Sequence, residues 1–263
     1  MDKKDIYFIY SVIILIILIF FYIIVPYFYT QPTVHVLFTR YKEPDMSLIL
    51  EPFINRRNIH VYIYNKGSDV PTGIPEDANN ITIINIPNLG WDSYGYVYHV
   101  IKNYNKLPHY ITNLHASAQY LPGKKNIYLE IVDHINDIVD PKNENKKPIY
   151  YGGVVLDESL DFRLEDWSAT LDVNKQTDSK YTKSSIYPLK NWLESKLIKI
   201  PNNVMFNENK IKTNYLGQFL VHKSKILRYK KSFYKNILNE ISVWQSEVNH
   251  YLERSWYVFY GED

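Results

Sequence analysis

The chain has 263 residues, a formal net charge of +2 and no cysteine. So small a charge, with no dense stripe of Lys and Arg, argues against a nucleic-acid-binding surface. The lack of cysteine excludes disulfides and thiolate metal sites.

The run from Ile6 to Tyr29 carries no charged residue and is almost wholly Ile, Leu, Phe, Tyr and Val. A bilayer core needs roughly 20 such residues as a helix, so a transmembrane span is predicted over 6–29, after a short tail of residues 1–5. Bulky residues, Val25-Pro26-Tyr27-Phe28-Tyr29, lie where a cleavable signal peptide would carry small ones, so the span reads as an uncleaved signal anchor. Tyr7, Tyr10, Tyr27 and Tyr29 sit where interfacial belts place them. Lys3 and Lys4 nearly balance Arg40 and Lys42 across the span. The short tail and the charge-poor flank favour a single-pass type II orientation. Residues 30–263 are then one globular domain on the lumenal side of the endoplasmic reticulum or Golgi, or otherwise extracytoplasmic. Asn80-Ile81-Thr82 is the single Asn-X-Ser/Thr triplet, which makes Asn80 the candidate glycosylation site.

Thr33 to Thr39 is β-branched and apolar, the pattern of a strand buried on both faces. Asp45 or Ser47 is positioned to cap a short helix through Phe53. Ile59–Tyr64 and Ile81–Ile86 are the next strands, each stopped by turn formers. Asp92 or Ser93 caps a helix carrying Val97, Val100, Ile101 and Tyr104, which Leu107-Pro108 ends. Tyr110–Leu114 is a fourth strand. Residues 140–148 read as a polar loop, Tyr150–Leu156 as a strand and 172–185 as an exposed loop. Tyr215–His222 is a strand, Ser224 opens a helix running through Ile241, and a last helix carries Trp244, Val248, Leu252 and Trp256. This rhythm is that of an α/β domain with a mostly parallel mixed sheet flanked by helices.

Several short motifs occur in order. They are Arg40-Tyr41-Lys42-Glu43, Asn65-Lys66-Gly67, Pro87-Asn88-Leu89-Gly90-Trp91-Asp92 with Tyr96, and Asn103-Tyr104-Asn105-Lys106-Leu107-Pro108. Gly217-Gln218-Phe219-Leu220-Val221, Phe233-Tyr234 and Leu252-Glu253-Arg254-Ser255-Trp256 follow. Together they resemble the domain of unknown function 3431, a glycosyltransferase-like family with R-Y-N-E, P-N-x-G-R-E, N-Y-D-x-L-P, G-x-F-x-V and L-E-R-x-W patterns. Lys42, Trp91 and Asp92 replace the family's Asn, Arg and Glu. The resemblance implies a Rossmann-like nucleotide-sugar glycosyltransferase fold, with a nucleotide-sugar donor and a glycan or glycoprotein acceptor. Such enzymes commonly hold a divalent cation, Mn or Mg, on an Asp-X-Asp after the fourth strand. Here that place reads His115-Ala116-Ser117.

In an open α/β sheet the site lies beyond the carboxyl ends of the strands. Arg40, Glu43, Lys66, Asn88, Asp92 and His115 all follow predicted strands and are the candidate substrate-binding residues. Arg40 and Lys66 suit phosphate or carboxylate, or a salt bridge at the sheet end. Glu43 suits a base or ribose, or nothing beyond solvent, while Asn88 and Gly90 suit a turn as well as a ligand. His115 is a substrate contact or a structural residue. With Asp157 it is also a candidate metal ligand, though a lone imidazole suits Mg or Mn poorly. Glu253 resembles the carboxylate base of inverting transferases, or it pins the last helix by pairing with Arg254 or Arg40. Trp244 and Trp256 read as core packing ahead of sugar stacking. No Walker, Gly-x-Ser-x-Gly or His-Glu-x-x-His motif supports another enzyme class. A non-catalytic, membrane-anchored glycan-binding or structural protein of the same fold is the competing expectation.

Overall fold

The computed structural model describes residues 3–24, 33–43, 45–140, 149–165, 181–197, 209–214 and 216–261. Helix α1, Lys3–Ile19, runs into a π-helical turn, Phe20–Ile24, and every residue from Tyr7 to Tyr22 is exposed. Among the described residues no helix is long and apolar enough to cross a membrane. Residues 25–29 of the expected span lie outside the described part.

Strand β1, Val34–Arg40, occupies the middle of a six-stranded sheet. Val36 and Phe38 point to one face and Leu37 to the other, and all three are fully buried, so the strand is apolar without alternation. Strands β2 (Ile59–Asn65), β3 (Ile81–Asn85) and β4 (Tyr110–His115) join it in parallel, with β1 paired to both β2 and β4. Strand β8 (Phe219–His222) runs antiparallel to β4, and β5 (Tyr150–Tyr151) runs antiparallel to β8, completing the order β3-β2-β1-β4-β8-β5. Strands β6 (Val155–Ser159) and β7 (Lys210–Asn214) form a separate antiparallel pair. The expected α/β fold with a mostly parallel mixed sheet is thus present.

Helices cover both faces. On one, α2 (Ser47–Leu50) and α4 (Pro122–Val139) bring Ile49, Tyr128, Ile131 and Ile135 onto Val36, Phe38, Val61 and Ile63. On the other lie α3 (Trp91–Asn103), α5 (Leu189–Lys196), α7 (Lys231–Ile241) and α8 (Glu247–Tyr260). Their Tyr96, Trp192, Ile237 and Trp256 pack against Leu37, Ile111 and Phe219. Each such full burial contributes about 1.5–3 kcal/mol.

The structure departs from the sequence reading in identifiable places. Helix α4 was not anticipated, although Tyr128, Ile131, Val132, Ile135 and Ile138 are spaced for one buried helical face. The strand expected over 150–156 is cut at Gly152-Gly153, where Gly153 has φ +78°, and its two parts join different sheets. The helix expected from Ser224 is two, α6 (Lys223–Ile226) and α7, and Trp244 lies before α8 begins. Helix α3 is capped by Gly90 in the left-handed region (φ +60°), which sets Asp92 and Ser93 inside its first turn.

Chain order now locates a site. From β1 the chain adds β2 and β3 on one side, then returns to place β4 on the other. The carboxyl ends of β1 and β4 therefore flank the switch point, where open α/β sheets form ligand crevices.

Candidate functional site

Beyond β1, the Arg40 guanidinium is buried and each of its nitrogens donates a hydrogen bond. It donates to the Glu43 carbonyl (2.9 Å), to Asn65 Oδ1 (2.8 Å) and to the carbonyl and carboxylate of Asp69. Arg40 thus ties the loops after β1 and β2 together from behind the crevice. The Glu43 carboxylate accepts the backbone N–H groups of Tyr41 (2.8 Å) and Lys42 (3.2 Å) and shapes its own turn. Gly67 is required in the next loop because a Cβ there would strike the Tyr41 carbonyl.

Lys66 lies 8% exposed, and its ammonium donates to the carbonyls of Leu89 and Trp91 at the start of α3. Burial lowers its pKa to about 8, against the pull of the nearby Asp92 charge. Asp92 in turn faces His115 at the end of β4, with Oδ2 2.9 Å from Nε2. The two side chains thus form a carboxylate–imidazole contact. Burial alone would raise the Asp92 carboxyl, but His115, Lys124 and Lys66 together hold it below the ordinary carboxylate value.

Two adjoining cavities share Trp91 and Asp92 as a common wall. The larger, about 310 Å³, is lined by Tyr41, Glu43, Lys66, Asn88 and Trp244 among others. The smaller, about 180 Å³, is lined by Asn113, His115, Lys124, Asn249 and Glu253. Of the sequence-predicted site residues, Glu43, Lys66, Asn88, Asp92, His115 and Glu253 are brought to these two walls, and Arg40 is not. Glu253 accepts the Leu216 backbone N–H at 3.1 Å. The ion pairs weighed for it are made elsewhere: Arg254 reaches Glu158 (3.1 Å) and Arg40 reaches Asp69.

Trp91, Asn113, Lys124 and Asn249 were missed, and Trp244, read as core ahead of sugar stacking, lines the larger cavity instead. Two signals for them existed. Asn113 and His115 are two apart on one strand face, and Asn249 and Glu253 are four apart on one helix face. In the smaller cavity's walls Asn113 Oδ1, His115 Nδ1 and both amide atoms of Asn249 are shut off from water without a hydrogen-bond partner. Trp256 is core, as expected, whereas Trp244 is 58% exposed.

Asn80 is 7% exposed. Its Nδ2, the atom a glycan would join, donates to the carbonyls of Phe53 (2.7 Å) and Ile59 (2.9 Å), and its Oδ1 accepts from Asn55 N–H. The folded chain therefore does not present it for glycosylation. Asp157 sits on β6 and pairs with Lys212 at 2.8 Å, apart from His115. Among the described residues no group of three or more His, Asp or Glu is placed to hold a metal. Around Asp92 stand one imidazole and two ammonium groups, a poor match for a hard divalent cation that wants several oxygens. No protein-family model matches the chain, and no curated protein matches it either.

Proposed function

We propose that the protein transfers a sugar from a nucleotide-sugar donor to a hydroxyl of a glycan or glycoprotein. The observation carrying this reading is Asp92, paired with His115 in the wall between two cavities at the sheet's switch point. Such a wall lets two substrates meet at one carboxylate–imidazole pair, with Glu253 on the same side as His115. In the reaction the acceptor oxygen bonds to the anomeric carbon and its proton passes to Glu253. The bond from that carbon to the diphosphate breaks, and its electron pair leaves with the diphosphate. Lys124, which lines the smaller cavity, is the cation available to the departing charge.

Membership of the domain of unknown function 3431 belongs to the same proposal, and so does anchorage by the charge-free run Ile6–Tyr29. The anchorage draws support from the exposure of residues 7–22 all round α1. The domain then works in the lumen of a secretory compartment, a reading tested by carbonate extraction and protease protection of membranes carrying the chain.

Transfer is tested by incubating the full chain with a panel of nucleotide sugars, with and without Mn²⁺, and following donor hydrolysis and melting temperature. Hydrolysis of one donor is expected. No hydrolysis and no thermal shift with any donor overturns the enzyme reading, and a thermal shift without hydrolysis favours a glycan-binding protein instead.

A further inference from the structure

The larger cavity is walled by aromatic rings that folding leaves in water. Trp244 is 58% exposed, Tyr41 45% and Trp91 44%, and all three line it. Large aromatics are normally drawn inside, so three around one hollow form an apolar floor awaiting a partner. Their placement is also held at a cost. Trp91 has φ +42° and Gln245, next to Trp244, has φ +45°, conformations that bulky residues rarely adopt without constraint from their surroundings. The Trp91 ring is braced edge-on by His250, with centroids 4.4 Å apart.

The charges around the floor select among ligands. Among the described residues lining this cavity the one ammonium is that of Lys66, which is spent on two backbone carbonyls. The neighbouring Lys42 ammonium lies over the Tyr41 ring, 5.1 Å from its centroid. The remaining charged groups there are the carboxylates of Glu43 and Asp92, which repel phosphate. Asn88 and Gln245 add amide groups, which both donate and accept. Aromatic faces for C–H surfaces, with carboxylates and amides for hydroxyls, match a neutral sugar ring and reject an anionic nucleotide.

We infer that the larger cavity is the binding site of a neutral glycan, stacked on Trp244 and Trp91. This rests on the transfer reading only in making that glycan the acceptor; binding itself is independent of catalysis. The full chain, in a detergent without a sugar headgroup, is titrated with neutral trisaccharides of glucose, mannose and N-acetylglucosamine, and separately with uridine diphosphate. Binding is followed by saturation-transfer NMR. At least one trisaccharide is expected to receive saturation on its ring C–H protons. Trp244→Ala is expected to weaken that binding at least tenfold, and Trp244→Phe to restore most of it. Because Trp244 is largely exposed, the melting temperature of both variants should match that of the parent.

The inference is overturned if no trisaccharide binds, if Trp244→Ala leaves affinity unchanged, or if uridine diphosphate binding is the one lost in that variant. Trisaccharide binding with neither donor hydrolysis nor a donor-induced thermal shift sinks the transfer reading alone. Donor hydrolysis without trisaccharide binding sinks this inference alone.

Discussion

At the scale of single residues, polar side chains at the ends of strands do two different jobs, and burial separates them. Asn80 bridges three backbone positions from inside the protein. Replacing it by Ala removes these bonds and strands their buried partners, at a cost of about 2–4 kcal/mol. Chemical denaturation of Asn80→Ala should show that loss, and endoglycosidase treatment of the parent chain should leave its mobility unchanged. Lys66 is a charge kept under cover. Its folded pKa of about 8 lies below the ordinary 10.5, so between those values the unfolded chain binds the extra proton. Stability should therefore rise as pH climbs from about 8 towards 10, and Lys66→Met should flatten that rise. Arg40 carries a related lesson. Its position after a strand was legible, but its partners Asn65 and Asp69 lie 25 and 29 residues on. Whether an arginine is spent or free depends on such distant neighbours, which no local pattern reveals.

At the scale of elements, α8 does the most for the site while most of it packs as core. Trp256 and Phe259 join the core, while Asn249 and Glu253, nearer the start of the helix, line the smaller cavity. Glu253→Gln keeps an oxygen for the Leu216 N–H and cannot take a proton. Transfer should fall by about 10²–10⁴-fold with the melting temperature unchanged, as steady-state kinetics and a thermal scan would show. Asn249 behaves oppositely. Both its amide atoms are buried and unpartnered, so Asn249→Leu, of similar shape, should raise stability by about 1–3 kcal/mol in denaturant titration. The core strands, β1, β2 and β4, were readable because burial on both faces leaves unbroken apolar runs. Helix α4 was not, because polar residues on its exposed side outnumber the apolar stripe that makes it a helix. Trp244 looked like part of the last helix because its spacing continues that stripe. The Ser246 hydroxyl, accepting the Val248 N–H, starts α8 after it and leaves the indole outside.

At the scale of the whole molecule, the sheet gathers histidines where they cannot charge. His35 Nδ1 lies 2.9 Å from His99 Nε2, and His99 Nδ1 lies 2.7 Å from the Tyr64 hydroxyl, in a chain running from β1 through α3 to β2. Burial first, then His60 and Lys106, lower His35 to about 4, and burial holds His99 well below 6.5. His250, beneath Trp91, is lowered to about 3 by burial and Arg254. All are depressed, so the sign is common to them. Above about pH 6.5 folded and unfolded chains carry these rings neutral, and the stability is fully present. As pH falls, the unfolded chain takes up protons that the folded chain refuses, and stability drains until the folded values near 4 and 3 are passed. His35 alone accounts for on the order of 3 kcal/mol across that window. Unfolding free energy measured from pH 7 to 4 should fall with a slope of more than one proton, and His35→Gln should lower that slope by about one. A flat profile above pH 5 would mean that these rings are open to water and that the β1–α3 packing differs from that described. Because α3 also carries Asp92 at its start, loosening it by acid should disorder the crevice in the same pH range.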